Sequence, residues 1–240
     1  MTPKVALFRP LDEGRRSAEL IEARGFAATL APAAEIAATG RQPGPGAYDV
    51  LIATSARAFA SLAPDARERL AATTVCVVGK RTAEAAAASG LRSATAVCDD
   101  AASLAALLVK SFMSPMNVLF LAAKDRNDVL ETALAQSGHR VETVEVYEAR
   151  AVAAWSRPQI AALAKCQAAL HYSPRSAALA LALAGRSGLV GPFFAASHIC
   201  ISQEAARPLR EAGVSALAVA ASAQESALVE ALVGSFAARG

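Results

Sequence analysis

The sequence predicts an α/β protein of two similar domains, each a parallel sheet flanked by helices, with a cleft between them. Three observations predict it. Short apolar runs alternate with longer Ala-rich helical patterns, the alternation that builds parallel strands with helical crossovers. The runs are apolar at successive positions, as strands buried on both faces require. Segments also recur in the same order in the two halves of the chain, which marks a duplicated unit and not a solenoid.

The expected strands are Val5–Arg9, Val50–Thr54, Thr74–Val78, Asn117–Ala122, Val141–Tyr147, Ala168–Tyr172, His198–Ile201 and Ala216–Ala220. Helical patterns cover Arg15–Arg24, Thr82–Ser89, Ala101–Phe112, Asp128–Ser137, Ser176–Ala184 and Gln224–Phe236. Gly25, Gly90, Gly138 and Gly213 stand where helices stop, the position that favours a left-handed residue. In the repeat, Val5–Gly25 resembles Val118–Gly138, Tyr48–Ala63 resembles Ala168–Leu183, and Val75–Gly90 resembles Ile199–Gly213. The run Gly40–Gly46 (GRQPGPG) reads as an exposed loop or connector.

Composition narrows the function. The chain has 240 residues and a net charge of +3, from 24 Lys+Arg against 21 Asp+Glu. That balance argues against a protein that coats nucleic acid. The 54% apolar fraction contains 62 Ala, so the large apolar residues are about average for a globular chain. Aromatics are only 5%, so packing must lean on Leu, Val, Ile and close backbone approach. The N-terminus shows no secretory pattern. The longest uncharged run, Ser187–Gln203, carries Gly188, Gly191, Pro192 and His198, which argues against a membrane span. Cys76, Cys98, Cys166 and Cys200 lie far apart without a CxxC. They read as free thiols in a reducing cytoplasm, with no zinc site. No heptads suggest an obligate partner, so a monomer is expected.

In open parallel sheets, ligands bind beyond the carboxyl ends of the strands. Five such ends are followed by Arg9-Pro10, Thr54-Ser55-Ala56-Arg57, Gly79-Lys80-Arg81-Thr82, Lys124-Asp125-Arg126 and Ser173-Pro174-Arg175-Ser176. A hydroxyl, a nearby cation and the exposed amides of a helix start together favour an anion. Any one of these turns is an ordinary cap; five at strand ends point to an acidic ligand. No GxSxG, HExxH, GxxxxGK[ST] or GxGxxG occurs. His139 reads as a surface turn residue, and His171 and His198 as packed strand residues. Trp155 reads as a packing anchor. Tyr147 admits two readings: a half-buried strand residue, or a phenol that closes its strand and donates a proton.

The ordered set LFRP (Leu7–Pro10), DVLIATSARA (Asp49–Ala58), VVGKRTA (Val77–Ala83), VLFL (Val118–Leu121), GHRV (Gly138–Val141), VYE (Val146–Glu148) and YSPRS (Tyr172–Ser176) resembles the uroporphyrinogen-III synthase family. The resemblance implies two α/β domains joined by a pair of extended strands. Domain one is then residues 1–36 plus 150–240, and domain two 40–146, overriding a cut at the repeat boundary near residue 117. It further implies closure of linear hydroxymethylbilane to uroporphyrinogen III, with loss of water and inversion of ring D through a spiro intermediate. That is a lyase reaction of tetrapyrrole and haem biosynthesis, with no metal or organic cofactor.

By the same resemblance, Tyr147 matches the tyrosine proposed to assist departure of the hydroxyl. Arg9, Thr54, Ser55, Arg57, Gly79, Lys80, Thr82, Lys124, Arg126, Tyr172, Ser173, Pro174, Arg175 and Ser176 are the expected substrate-binding positions. Ser202 and Gln203 join them at the second Gly-x-x-Thr-like turn. Two departures stand out: Ala122-Ala123 precede the basic loop, and Ser202-Gln203-Glu204-Ala205 lacks both Gly and Thr. They leave a second reading, a divergent inactive homologue that binds an acidic tetrapyrrole or another anion. A third, from fold alone, is a sugar- or phosphate-binding module. The expected partner is a small molecule, with no nucleic acid and no membrane.

Overall fold

The computed structural model describes residues 2–112 and 114–237. In chain order the elements are β1 (Lys4–Leu7), α1 (Leu11–Glu22), β2 (Ala27–Leu30), β3 (Ala34–Ala38), β4 (Val50–Ala53), α2 (Arg57–Ala60), α3 (Pro64–Leu70), β5 (Thr74–Val78), α4 (Lys80–Ala88), β6 (Ala96–Cys98), α5 (Ala101–Ser111), β7 (Asn117–Ala123), α6 (Val129–Gln136), β8 (Arg140–Ala151), α7 (Arg157–Leu163), β9 (Ala168–His171), α8 (Pro174–Arg186), α9 (Val190–Ala195), β10 (Ser197–Cys200), α10 (Gln203–Glu211), β11 (Leu217–Val219) and α11 (Glu225–Ala237). The chain forms two units: residues 1–35 with 150–240, and residues 36–149. It passes between them twice, along β3 going out and along β8 coming back.

Two sheets result, ordered β11-β10-β9-β1-β2 and β3-β8-β7-β4-β5-β6. Pairing is parallel from β2 through β11 in the first and from β8 through β6 in the second. The repeated segments occupy equivalent places: β1, β9 and β10 are consecutive in one sheet, as β7, β4 and β5 are in the other. The centre of each sheet is buried on both faces because the central strands alternate between two cores. In the first unit, Val5 and Leu7 pack with α1 and α11. Ala6 and Phe8 pack with α7, α8, α9 and α10. In the second, Leu51 and Ala53 face α2, α3 and α4, while Val50 and Ile52 face α5 and α6.

Three strands go beyond those expected from the sequence: β2, β3 and β6. All three are edge strands, half-buried or exposed along their length, so they lack the doubly apolar pattern that marked the others. The four helix-stop glycines adopt φ of 81–83°, which a residue with a Cβ resists. His139 is corrected from a surface turn to a buried residue, 6% exposed. Its Nδ1 accepts the Met116 N–H at 3.3 Å, because the turn into β8 tucks it under the start of β7. Trp155 is buried, stacks on Phe8 with ring centroids 5.6 Å apart, and donates to the Pro32 carbonyl at 3.1 Å.

His171 and His198 lie on adjacent strands of the first sheet, both fully buried. His198 Nε2 donates to the Phe193 carbonyl at 2.7 Å, so its Nδ1 is the acceptor for His171 Nε2–H at 2.9 Å. That leaves His171 Nδ1 a buried acceptor with no partner among the described residues. Burial, and then the neighbouring imidazole, pushes His171 well below its usual range. Burial also lowers His198, against the opposing pull of the Phe193 carbonyl.

Above the unfolded value near 6.5, both imidazoles are neutral in either state. Below it, the unfolded chain takes up protons that the fold refuses. The first unit is therefore expected to lose about 1.4 kcal/mol per pH unit and per imidazole until the lowered folded value is reached. Trp155, the sole tryptophan, reports this unit. Its fluorescence-detected urea midpoint should fall between pH 7.5 and 5.5, and a His171→Leu/His198→Leu variant should flatten the decline. An unchanged midpoint contradicts the expectation.

Candidate functional site

Parallel pairing sends every strand-to-helix turn of a sheet to the same edge. In the first unit, Leu7 is in register with Leu170, and Leu170 with Ile199. Arg9, the Tyr172–Ser176 turn and the Ser202–Gln203 turn therefore share one carboxyl edge. In the second, Ala53 aligns with Val77 and Leu121, and Ala123 with Tyr147. That edge collects Thr54, Ser55, Arg57, Gly79, Lys80, Thr82, Lys124, Arg126 and Tyr147. Within each unit the expected site residues thus come together.

The helix starts differ in what they leave for a ligand. Ser173 caps α8 by accepting the Ser176 N–H at 3.1 Å, with Pro174 at the first helical position. Ser202 caps α10 by accepting the Ala205 N–H at 3.2 Å. Gln203 Oε1 accepts from Arg210 within the same helix. α4 has no side-chain cap. Gly79 stands at its start with φ 80° and ψ 145°, and the Thr82 and Ala83 N–H groups both fold back to the Gly79 carbonyl. Among the described residues the amides of Lys80 and Arg81 have no partner, so this turn has anion-binding capacity left. Thr82 is buried and Lys80 exposed. At the β4 turn, Ser55 Oγ accepts the Arg57 N–H at 3.4 Å, and Thr54, Ser55 and Arg57 are half-buried. Arg175 is exposed.

Three of the expected cations are paired already. Lys124 Nζ lies 3.0 Å from Glu148. Arg126 bridges Glu131 at 2.6 Å and Glu145 at 3.2 Å. Arg9 NH1 lies 2.9 Å from Glu225 Oε1 and 2.9 Å from Ser17 Oγ, and its guanidinium sits 4.0 Å over the Tyr172 ring. Ser17 Oγ at 2.5 Å and Tyr172 OH at 2.9 Å also donate to Glu225 Oε1. Burial first, with the Glu225 carboxylate adding to it, pushes the Tyr172 phenol up to about 12, so it stays a donor. Ser17 and Glu225 escaped the sequence reading. The available signal was an acidic residue at the first position of a helix that follows a strand end.

Tyr147 is corrected from the residue that closes its strand. β8 runs on to Ala151 beside β3; just past its end the Val152 N–H donates to the Ala33 carbonyl at 3.1 Å. Between Ala122/Ala123 the register shifts, so Glu145 opposes Ala122 and Tyr147 opposes Ala123. The extra residue breaks the alternation. Val144, Val146 and Tyr147 all enter the same core. Tyr147 is 9% exposed, and among the described residues its hydroxyl makes no hydrogen bond. Among the described residues no group of three His, Cys, Asp or Glu side chains could hold a metal ion.

Two substitutions test this geometry. The Gly79 backbone conformation is nearly restricted to glycine, with nothing within 4 Å of an added Cβ. Gly79→Ala should therefore cost about 1–3 kcal/mol through strain alone, read as a lower denaturant midpoint. Tyr147→Phe removes no hydrogen bond and should change stability by less than about 0.5 kcal/mol; a larger loss would show that the hydroxyl is held.

The chain matches the family model for uroporphyrinogen-III synthase HemD over residues 15–230. Among solved structures, it is similar to uroporphyrinogen-III synthetase from Helicobacter pylori, at 16% identity and a TM-score of 0.59, over 98% of this chain and 99% of that one. It is also similar to a mutant uroporphyrinogen III synthase from the extremely thermophilic bacterium Thermus thermophilus, at 18% identity and a TM-score of 0.52, over 99% of this chain and 100% of that one. These likenesses concern the fold. No curated protein shows significant sequence similarity to it. No helix among the described residues is long and apolar enough to cross a membrane. With nine-tenths of its length inside the family model, the chain belongs to the uroporphyrinogen-III synthase family.

Proposed function

We propose that this chain is a hydro-lyase that closes hydroxymethylbilane to uroporphyrinogen III, losing water and inverting ring D through a spiro intermediate. Family membership over residues 15–230 carries the assignment. The chemistry on the two strand edges supports it. The substrate carries eight carboxylates, and each unit presents hydroxyls, helix amides and cations along one edge. The linear substrate closes unaided to the uninverted isomer, so the enzyme's work is to hold the chain ends in the spiro geometry. Orientation of that kind supplies on the order of 7–11 kcal/mol.

Tyr147 donates to the departing hydroxyl in this scheme. Its hydroxyl has no competing partner among the described residues, and the bulge at Ala122/Ala123 sets it at the carboxyl end of β7. Thr54, Ser55, Gly79 and Thr82 of the second unit, and Ser173, Ser176 and Ser202 of the first, contact substrate carboxylates. Arg9, Lys124 and Arg126 contribute charge. The site uses no metal or organic cofactor, and the protein works as a cytoplasmic monomer with domains of residues 1–36 plus 150–240 and 40–146.

One observation favours a second reading. At the Ser202 turn the cap is satisfied internally, Gln203 is held by Arg210, and Glu204 is exposed in the first helical turn. A non-catalytic homologue that binds an acidic tetrapyrrole would tolerate that loss.

Freshly prepared hydroxymethylbilane, followed by chromatography of the oxidised porphyrins, separates the two. Isomer III above the enzyme-free control is expected; isomer I alone sinks the cyclase. Tyr147→Phe should lower kcat by roughly 10²-fold, the lower end for loss of general-acid help. The loss should be incomplete, because the binding geometry survives.

A further inference from the structure

The geometry points to a carboxylate seat in the first unit: Arg9, Ser17 and Tyr172 form it, and Glu225 fills it until a ligand carboxylate takes its place. All three donors converge on one oxygen, Glu225 Oε1, at 2.9, 2.5 and 2.9 Å. Its other oxygen makes no hydrogen bond among the described residues. A structural brace between Arg and a carboxylate gains most from two parallel bonds; this pair uses NH1 alone. The guanidinium therefore keeps unused donors, held in orientation by its stacking on the Tyr172 ring.

Place and access agree. The seat lies on the carboxyl edge of the sheet, beside the Ser173 turn. The Arg9 and Glu225 side chains are 24% and 31% exposed, so solvent and ligand reach them. Glu225 belongs to α11, whereas its donors come from the ends of β1 and β9 and from α1. Rotating one long side chain empties the seat without moving a strand. Once released, the carboxylate remains favoured at the first turn of α11 by the helix dipole.

Exchanging one carboxylate for another gains little by itself. A monoacid must compete with Glu225, which is tethered and present at high effective concentration. A polyacid held elsewhere by its other carboxylates competes on equal terms. The seat thereby discriminates polycarboxylates from simple anions. That the natural ligand is a polycarboxylate rests on the proposed function; the seat itself rests only on this cluster.

The test fills the seat from solution. Glu225→Ala leaves it vacant, so sodium acetate should raise the Tm by a few degrees over sodium chloride at equal ionic strength, as expected at roughly tenfold above the dissociation constant. Wild type and the Arg9→Gln/Glu225→Ala double variant should show no such difference. Equal Tm of the single variant in both salts, or an acetate effect that survives loss of Arg9, overturns the seat. Should Glu225→Ala not fold, Glu225→Gln keeps the shape and drops the charge. Its KM for hydroxymethylbilane should fall roughly threefold to tenfold, because occupancy by Glu225 no longer taxes binding; an unchanged or higher KM overturns the proposal. Failure of the acetate arm removes the seat whatever the reaction. Absence of isomer III from wild type alters the ligand and leaves the acetate result standing.

Discussion

Parallel strand pairing is the constraint on which the rest of this structure depends. A parallel neighbour can be reached only by a crossover, and the crossovers here are helices. Every strand-to-helix turn is then delivered to the carboxyl edge of its sheet. The order β2-β1-β9-β10-β11 in one unit repeats as β8-β7-β4-β5-β6 in the other, so both edges are built by one rule. β1 and α1 come first in the chain yet take the place that β7 and α6 hold in the second unit. The duplication shows in the chain order, but which strand–helix unit joins which sheet is decided only in space.

Electrostatics on those edges is arranged by pairing. Arg9, Lys124 and Arg126 each meet a carboxylate of the same unit. Such part-exposed pairs contribute little stability. The uncapped start of α4 offers amides that belong to no side chain, whereas α8 and α10 spend a serine oxygen on their own backbone. Tyr172 and Tyr147 differ in the same sense. One phenol is engaged with Glu225 and stays protonated; the other is buried without a hydrogen-bond partner among the described residues, on a strand distorted by a bulge.

Much of this was legible in the chain. Val50–Ala53 and Ala168–His171 are apolar at nearly every position, and only a strand covered on both faces calls for that. Gly25, Gly90, Gly138 and Gly213 announced helix stops that other residues resist, and Ser173-Pro174 announced a helix start. β2, β3 and β6 were not legible, because an edge strand needs only one neighbour and no particular composition. The burial of His139 was not legible, because its hydrogen-bond partner, the Met116 N–H, lies 23 residues away on the connection into β7.

What the sequence determined by itself is the set of central strands, the helices after them, and the residue types at each strand end. These follow from local periodicity and local caps, which act over a few residues. What only the tertiary structure decided is which groups meet: Glu225 with Arg9, Ser17 and Tyr172, His171 with His198, and Tyr147 with the bulge that breaks its alternation. Those meetings depend on register between strands and helices up to 216 residues apart, and register is fixed by packing of the whole unit. No local pattern encodes it.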